Sequence, residues 1–186
     1  MRKRLDAVDE TRRRIVEAAV ELHGSVGPAE TTVSAIAERA GVQRSTIYRH
    51  FPDEESLFGA CTSHWLSRHP WPDHEQWRLI TDPAERLAHG LDELYRFYAA
   101  GREMIANSYR DMAAMPEFVG VAMATQVKAM HSALVSGWKA RGRQRRLLEA
   151  AIAHAIDFRS WQSLSDAGLA PAEAAMLMTR MVLASC

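Results

Sequence analysis

Between Thr32 and Leu57 the chain reads TVSAIAERAGVQRSTIYRHFPDEESL, a pattern of two short amphipathic helices parted by one glycine. Thr31 and Thr32 are suited to cap the first, because a threonine hydroxyl accepts from the free amides at a helix start. Val33, Ile36, Ala37 and Ala40 then recur at helical spacing. Gly41 closes this helix with a sharp turn, since glycine enters the left-handed conformation without a Cβ penalty. The second helix is expected over about Arg44 to Phe51, where Pro52 stops it. Asp53-Glu54-Glu55 opens a further helix, its acids favourable at the positive helix end. Upstream, Ile15, Ala18, Ala19, Leu22 and Val26 form one more helical stripe, ended by Gly24 and Gly27-Pro28. Two short helices joined by a tight turn and packed on a preceding helix make a helix-turn-helix.

Ile36, Ala37, Ala40, Val42, Ile47 and Phe51 are expected to form its core. Arg44, Ser45, Thr46, Tyr48, Arg49 and His50 are left on the outward side. These are groups that reach base edges and phosphates, and a helix start adds its own affinity for phosphate. On the pattern alone, a surface helix of an ordinary bundle is the alternative. Net charge is zero and so does not decide between them. Cations do cluster, in Arg2-Lys3-Arg4 and Arg12-Arg13-Arg14. Phosphate contacts and a solvated face both fit these clusters.

The rest of the chain also reads as helix, so the fold class is all-α, with about nine helices in all. A three-helix helix-turn-helix domain is expected over 1–60 and a C-terminal helical bundle over 61–186. His69-Pro70-Trp71-Pro72-Asp73 is a loop, because two prolines this close end a helix. Asp82-Pro83-Ala84-Glu85 is a strong helix start, followed by the stripe Ala84, Leu87, Leu91, Leu94, Tyr95, Tyr98. Gly101 separates a shorter helix, about Arg102 to Ala114. Pro116 starts a long one that runs to Arg141-Gly142-Arg143, and a second long one spans about Gln144 to Ala167. Gly168 ends it and Pro171 begins the last.

The stretch AGVQRSTIYRHFPDEESLF resembles the signature of the TetR family of bacterial transcriptional regulators. Gly41-Val42, Thr46, Tyr48, His50-Phe51 and Leu57-Phe58 stand at the family's spacing, within a similarity that covers about residues 11 to 60. AIAHAIDFRSWQSL, followed by a glycine and a Pro-Ala-Glu helix, is also similar to the dimerisation half of some members. The resemblance implies a homodimer on a palindromic double-stranded DNA operator, released by a small effector in the C-terminal domain, and so assigns DNA binding to 1–60 and ligand binding and dimerisation to 61–186. It places Arg44, Ser45, Thr46 and Tyr48 nearest the bases and backbone of the major groove. His50, with Thr32 or Ser34, would contact phosphate. Two positions depart from the pattern. Glu54 stands where many members have a phosphate-clamping lysine, and Gln43 replaces a shorter capping residue.

For the body, Tyr98, Met123, Trp138, His154 and Phe158 are the residues expected to line a ligand cavity. They sit among many Met and aromatic residues whose volume suits an apolar or aromatic molecule. Leu148, Ile152 and Trp161, with Leu177, Met178 and Met181 on the last helix, form apolar bands expected to pair with a second copy. His64, His69 and His74 are five apart, which no helix face shares, so no metal is expected, and no cofactor. No Gly-rich phosphate loop, Gly-x-Ser-x-Gly elbow or HExxH occurs, so an enzyme is not expected. The rivals are a helical enzyme or carrier with a structural N-terminal bundle, and a regulator without a small-molecule effector. No apolar run reaches the ~20 residues of a membrane span, and Met1 to Glu10 lacks the apolar stretch of a secretory signal. A cytoplasmic protein without a membrane partner is therefore expected. Cys61 and Cys186 make no disulfide framework, and Cys61 reads as a small core hydrophobe.

Overall fold

Eleven α-helices and one 3-10 turn run through residues 2–185, which the computed structural model describes, and no strand occurs among them. The side chains of residues 2–7, those of Arg2, Lys3 and Arg4 among them, and all of Met1 and Cys186, lie outside the described residues. The helices are α1 (Arg2–Ser25), α2 (Val33–Ala40), α3 (Arg44–His50), α4 (Glu54–Arg68), α5 (His74–Trp77), α6 (Pro83–Ala100), α7 (Arg102–Arg110), α8 (Glu117–Leu134), α9 (Gly142–Ala155), α10 (Phe158–Asp166) and α11 (Pro171–Leu183). The 3-10 turn is Met112–Ala114. The count exceeds the expected nine because α5 interrupts the proline loop region and because the helix expected over 144–167 is two. No helix among the described residues is long and apolar enough to cross a membrane.

The chain divides into two compact units. One comprises residues 1–70 with 101–120, the other residues 71–100 with 121–186. The first therefore runs past the expected boundary at residue 60 and includes α7, which follows the body helix α6 in sequence.

In the first unit Ile15, Ala19, Ile36, Ala37, Ala40, Ile47, Phe51, Leu57 and Cys61 close into one core under α1 to α4. The ends of α1 and α7 are joined by polar side chains. The last carbonyls of a helix lack intrahelical partners. Here Asn107 Nδ2 donates to the carbonyls of His23 (3.0 Å) and Gly24 (2.9 Å), and Arg110 donates to that of Val26 (2.8 Å). Asp111 receives both arms of Arg110 (2.7 and 2.8 Å) and the amide of Ala29 (3.2 Å). Gly27, at φ 99°, lies so close to Arg110 and Asp111 that any Cβ would collide with them.

In the second unit Asp82 caps α6 by accepting from the amides of Ala84 (2.8 Å) and Glu85 (2.9 Å). Leu87, Leu91, Leu94, Tyr95 and Tyr98 are all buried, and α6 packs along α11. Arg86 is buried as well. Its guanidinium meets backbone carbonyls: Ile80 (2.7 Å from Nη2), Ser136 (2.7 Å from Nη1) and Ala133 (3.3 Å from Nη1). It thereby holds the C-terminal end of α8, where the helix expected to reach Arg141 stops at Leu134 and the chain turns away through Gly137 at φ 80°.

The break between α9 and α10 has a local cause and a distant support. Asp157 sits at φ −69°, ψ 132° and accepts from the amides of Arg159 (2.8 Å) and Ser160 (3.3 Å). In a continuous helix those amides would donate to the carbonyls of Ala155 and Ile156. These carbonyls are instead taken by the hydroxyls of Tyr95 (2.8 Å) and Tyr98 (2.7 Å) from α6.

Candidate nucleic-acid interface

Thr32 stands before α2 with its hydroxyl accepting from the amide of Ala35 (3.1 Å). At the other end Gly41 adopts φ 64°, ψ 41° and its N–H reaches the carbonyls of Ala37 and Glu38. A side chain at Gly41 would also crowd Arg14. These two devices fix the length of α2 and the angle at which the chain enters α3. Ile47, 1% exposed, anchors α3 to the core. Ser45, Tyr48 and Arg49, one or two places from it, fall on other faces of the helix and are exposed.

The outcome for the expected contact residues is clear. Arg44, Ser45, Tyr48 and Arg49 are exposed on α3, Tyr48 by 51%, and Thr46 and His50 are half-buried beside them. Thr32 and Ser34 are exposed at the start of α2. Gln43 makes no side-chain cap on α3. Asp53 caps α4 by accepting from Ser56 N (2.7 Å), and Glu54 and Glu55 are exposed behind it. The face thus offers two guanidiniums, two hydroxyls and a phenol beside an acidic helix start. His50 titrates below the usual histidine range, because of partial burial and then the nearby charges of Arg49 and Arg12.

The cluster Arg12-Arg13-Arg14 is differently used. Arg12 Nη1 donates to the carbonyl of His50 (3.1 Å), and its guanidinium lies 4.1 Å over the Phe51 ring centroid. Arg14 donates to the carbonyls of Ala40 and Gly41. Arg13 pairs with Glu10 (2.6 Å) and Glu17 (2.9 Å). All three therefore have partners within the chain. Arg13's partners are three and four residues away and visible in the sequence, whereas the acceptors of Arg12 and Arg14 lie 38 and 26 residues away, where no feature of the triplet signals them.

The residues expected to line a cavity do not behave alike. Tyr98 and Phe158 pack edge to face at 5.3 Å, each about 1% exposed, with the Tyr98 hydroxyl held by Ile156. Both lie in the buried core of the second unit. Trp138 is half-buried and donates to the carbonyl of Leu134 (2.9 Å). Met123 is half-buried on α8, and His154 is exposed with Ser160 Oγ 3.1 Å from Nδ1. The apolar bands expected at a dimer interface also divide. Leu148, Ile152, Trp161 and Met178 are buried within the chain, because α9 packs on α11, α10 on α6 and α11, and α11 on α6 of the same copy. Leu177 and Met181 are exposed, as are Met176 and Leu147.

The family model for "Bacterial regulatory proteins, tetR family" matches residues 15–61, which hold the second part of α1, all of α2 and α3, and the first half of α4. This head belongs to the TetR family. The transcriptional regulator AcrR of Shigella flexneri is 40% identical over 57 residues, 31% of this chain and 26% of that protein. TtgR of Pseudomonas putida is 39% identical over 74 residues, 40% of this chain and 34% of that protein. The chain thus spans about a third or less of the length of these curated relatives. Among solved structures, a putative fatty acid metabolism regulator of Clostridium perfringens superposes with a TM-score of 0.66 at 19% identity, covering 93% of this chain and 98% of that one. NalD, the secondary repressor of the MexAB-OprM multidrug efflux pump in Pseudomonas aeruginosa, gives 0.61 at 21% identity, covering 95% and 96%. These likenesses establish the TetR fold along the chain.

Proposed function

We propose that the chain is a DNA-binding transcriptional regulator, a repressor that leaves a palindromic operator when a small, largely apolar or aromatic effector enters its body. The observation that carries this reading is the outward face of α3, where Arg44, Ser45, Tyr48 and Arg49 are exposed on a TetR-family head. Arg44 suits the O6/N7 edge of guanine by its planar fork, and the hydroxyls and His50 suit phosphate. The names of AcrR and TtgR as transcriptional regulators, and of NalD as a repressor, support the same class.

A palindrome needs two heads about 34 Å apart on one side of the duplex. A second copy is the proposed source of the other head. Leu177 and Met181 stand one turn apart on α11 and are exposed, as is Leu147 on α9. These replace the buried residues of the expected apolar bands as the proposed contact. Leu177→Glu with Met181→Glu is expected to turn a dimer into a monomer in light scattering. Met123, Trp138 and His154, none of them buried, stay as proposed cavity residues.

A selection of binding fragments from genomic DNA tests the reading. An imperfect palindrome, protected over two consecutive major grooves, is the expected outcome. Recovery of no common sequence would favour a helical enzyme or carrier whose head is structural.

A further inference from the structure

Helices α2 and α3 are short, so each leaves its last carbonyls without intrahelical partners. Gly41 turns back on Ala37 and Glu38, and Phe51 N–H returns to Ile47 (2.8 Å), but the carbonyls of Ala40, Gly41 and His50 face outward from the helix ends. Two arginines of α1, two residues apart, meet them. Arg14 takes Ala40 and Gly41, and Arg12 takes His50 while its guanidinium stacks on Phe51. The Phe51 ring is itself 2% exposed and part of the core, so Arg12 is held on one side by a fixed surface and on the other by a helix end. A cation at a helix C-terminus also meets the negative end of its dipole.

Resting on the DNA-binding reading above, we propose that Arg12 and Arg14 are positioning residues for operator recognition, which cap the two helices of the helix-turn-helix from α1 and set the angle of α3, and are not phosphate contacts. A guanidinium is suited to this because its planar fork can donate in plane and stack by its face at once. A lysine keeps the charge but loses the stacked, planar geometry. The placement also puts Arg12 near His50, where its charge helps to keep the imidazole neutral in the free protein.

The test is operator affinity across a range of salt concentrations for the full chain and for Arg12→Lys, Arg12→Gln and Arg14→Gln, with Arg49→Gln as the comparison. Removing a side chain that pairs with one phosphate lowers the slope of log affinity against log salt by about one. Arg49→Gln is expected to show that drop. Arg12→Gln and Arg14→Gln are expected to bind about tenfold or more weakly with the slope unchanged, and Arg12→Lys to fail to restore affinity. Amide exchange at Gly41–Gln43 in Arg14→Gln, and at Phe51–Asp53 in both Arg12 variants, is expected to quicken in the absence of DNA. A slope reduced by about one in Arg12→Gln, with affinity kept by Arg12→Lys, would overturn the proposal, as would unchanged exchange. Failure of the unaltered chain to bind any selected sequence would instead sink the DNA-binding reading, and the proposed role with it.

Discussion

Deleting the hydroxyl of Tyr98 or Tyr95 removes a hydrogen bond to the α9–α10 break and leaves the ring in place. In Tyr98→Phe the carbonyl of Ile156 loses the 2.7 Å bond from α6, and in Tyr95→Phe that of Ala155 loses its 2.8 Å bond. Both tyrosines are 1% exposed or less, so water does not readily replace the donor. A buried acceptor left without a partner costs about 1–3 kcal/mol. For a chain of this size each kcal/mol lowers the melting temperature by about 2–4 °C. Each single variant is therefore expected to melt about 6 °C lower, and the double variant about 12 °C lower. The background of Asp157→Ala sharpens the reasoning. Without that carboxylate the amides of Arg159 and Ser160 are free to return to the same two carbonyls, as in a continuous helix. The cost of losing either hydroxyl then falls, and thermal denaturation of the four members of a double-mutant cycle measures the coupling. A Tyr98→Phe protein that melts unchanged, or one whose loss is the same with and without Asp157, would refute this account of the break.

Arg86→Met is expected to cost about 1–3 kcal/mol in denaturant unfolding, since the partly buried carbonyls of Ile80 and Ser136 lose their donor; a loss smaller than about 1 kcal/mol would contradict its role at the end of α8. Asn107→Ala removes two bonds to the end of α1 and is expected to cost about 1–2 kcal/mol, with faster amide exchange over residues 24–32 as the check. His23 is 6% exposed, stacks on Phe58 at 4.9 Å and is held by burial at a pKa of about 4, below its ordinary 6.5. The unfolded chain takes up a proton on this group first, so stability is expected to be full above pH 6.5 and to fall as pH drops toward 4. The loss is about 3 kcal/mol by the linkage of about 1.4 kcal/mol per pKa unit. His23→Phe is expected to flatten that part of the pH profile, measured by urea unfolding.

The head was legible in the sequence because its determinants are local. Thr32, Gly41, Pro52 and Asp53 act within four residues of themselves, and the apolar spacing of α2 and α3 assigns their faces directly. What was not legible depends on partners far along the chain. The capping of α9 and α10 at Asp157 leaves carbonyls that only Tyr95 and Tyr98, about 60 residues earlier, make tolerable. That the Tyr98 hydroxyl closes a helix end was therefore not visible in the sequence. The apolar band Leu148, Ile152, Trp161 was too wide for one neighbour in a helical wheel, but it meets both α6 and α11, which a wheel does not show. The triplet Arg12-Arg13-Arg14 left two readings open for the same reason. Charge is visible in sequence, whereas the carbonyls that occupy it are placed by the turn at Gly41 and the end of α3. Glu54 was a departure visible at once, and its exposure leaves the acidic start of α4 beside the recognition face.

The central claim is that the exposed face of α3 reads a DNA sequence. It is tested most directly by titrating the unaltered chain, Arg44→Ala and Tyr48→Ala into a selected palindrome and a scrambled duplex of equal length at one salt concentration. The account predicts tight binding of the palindrome by the unaltered chain and weak binding of the scrambled duplex. It predicts a loss of about 1–3 kcal/mol on the palindrome for each variant, with melting temperatures kept because both side chains are exposed. Equal affinity of all three proteins for the palindrome, or of the unaltered chain for both duplexes, would contradict it.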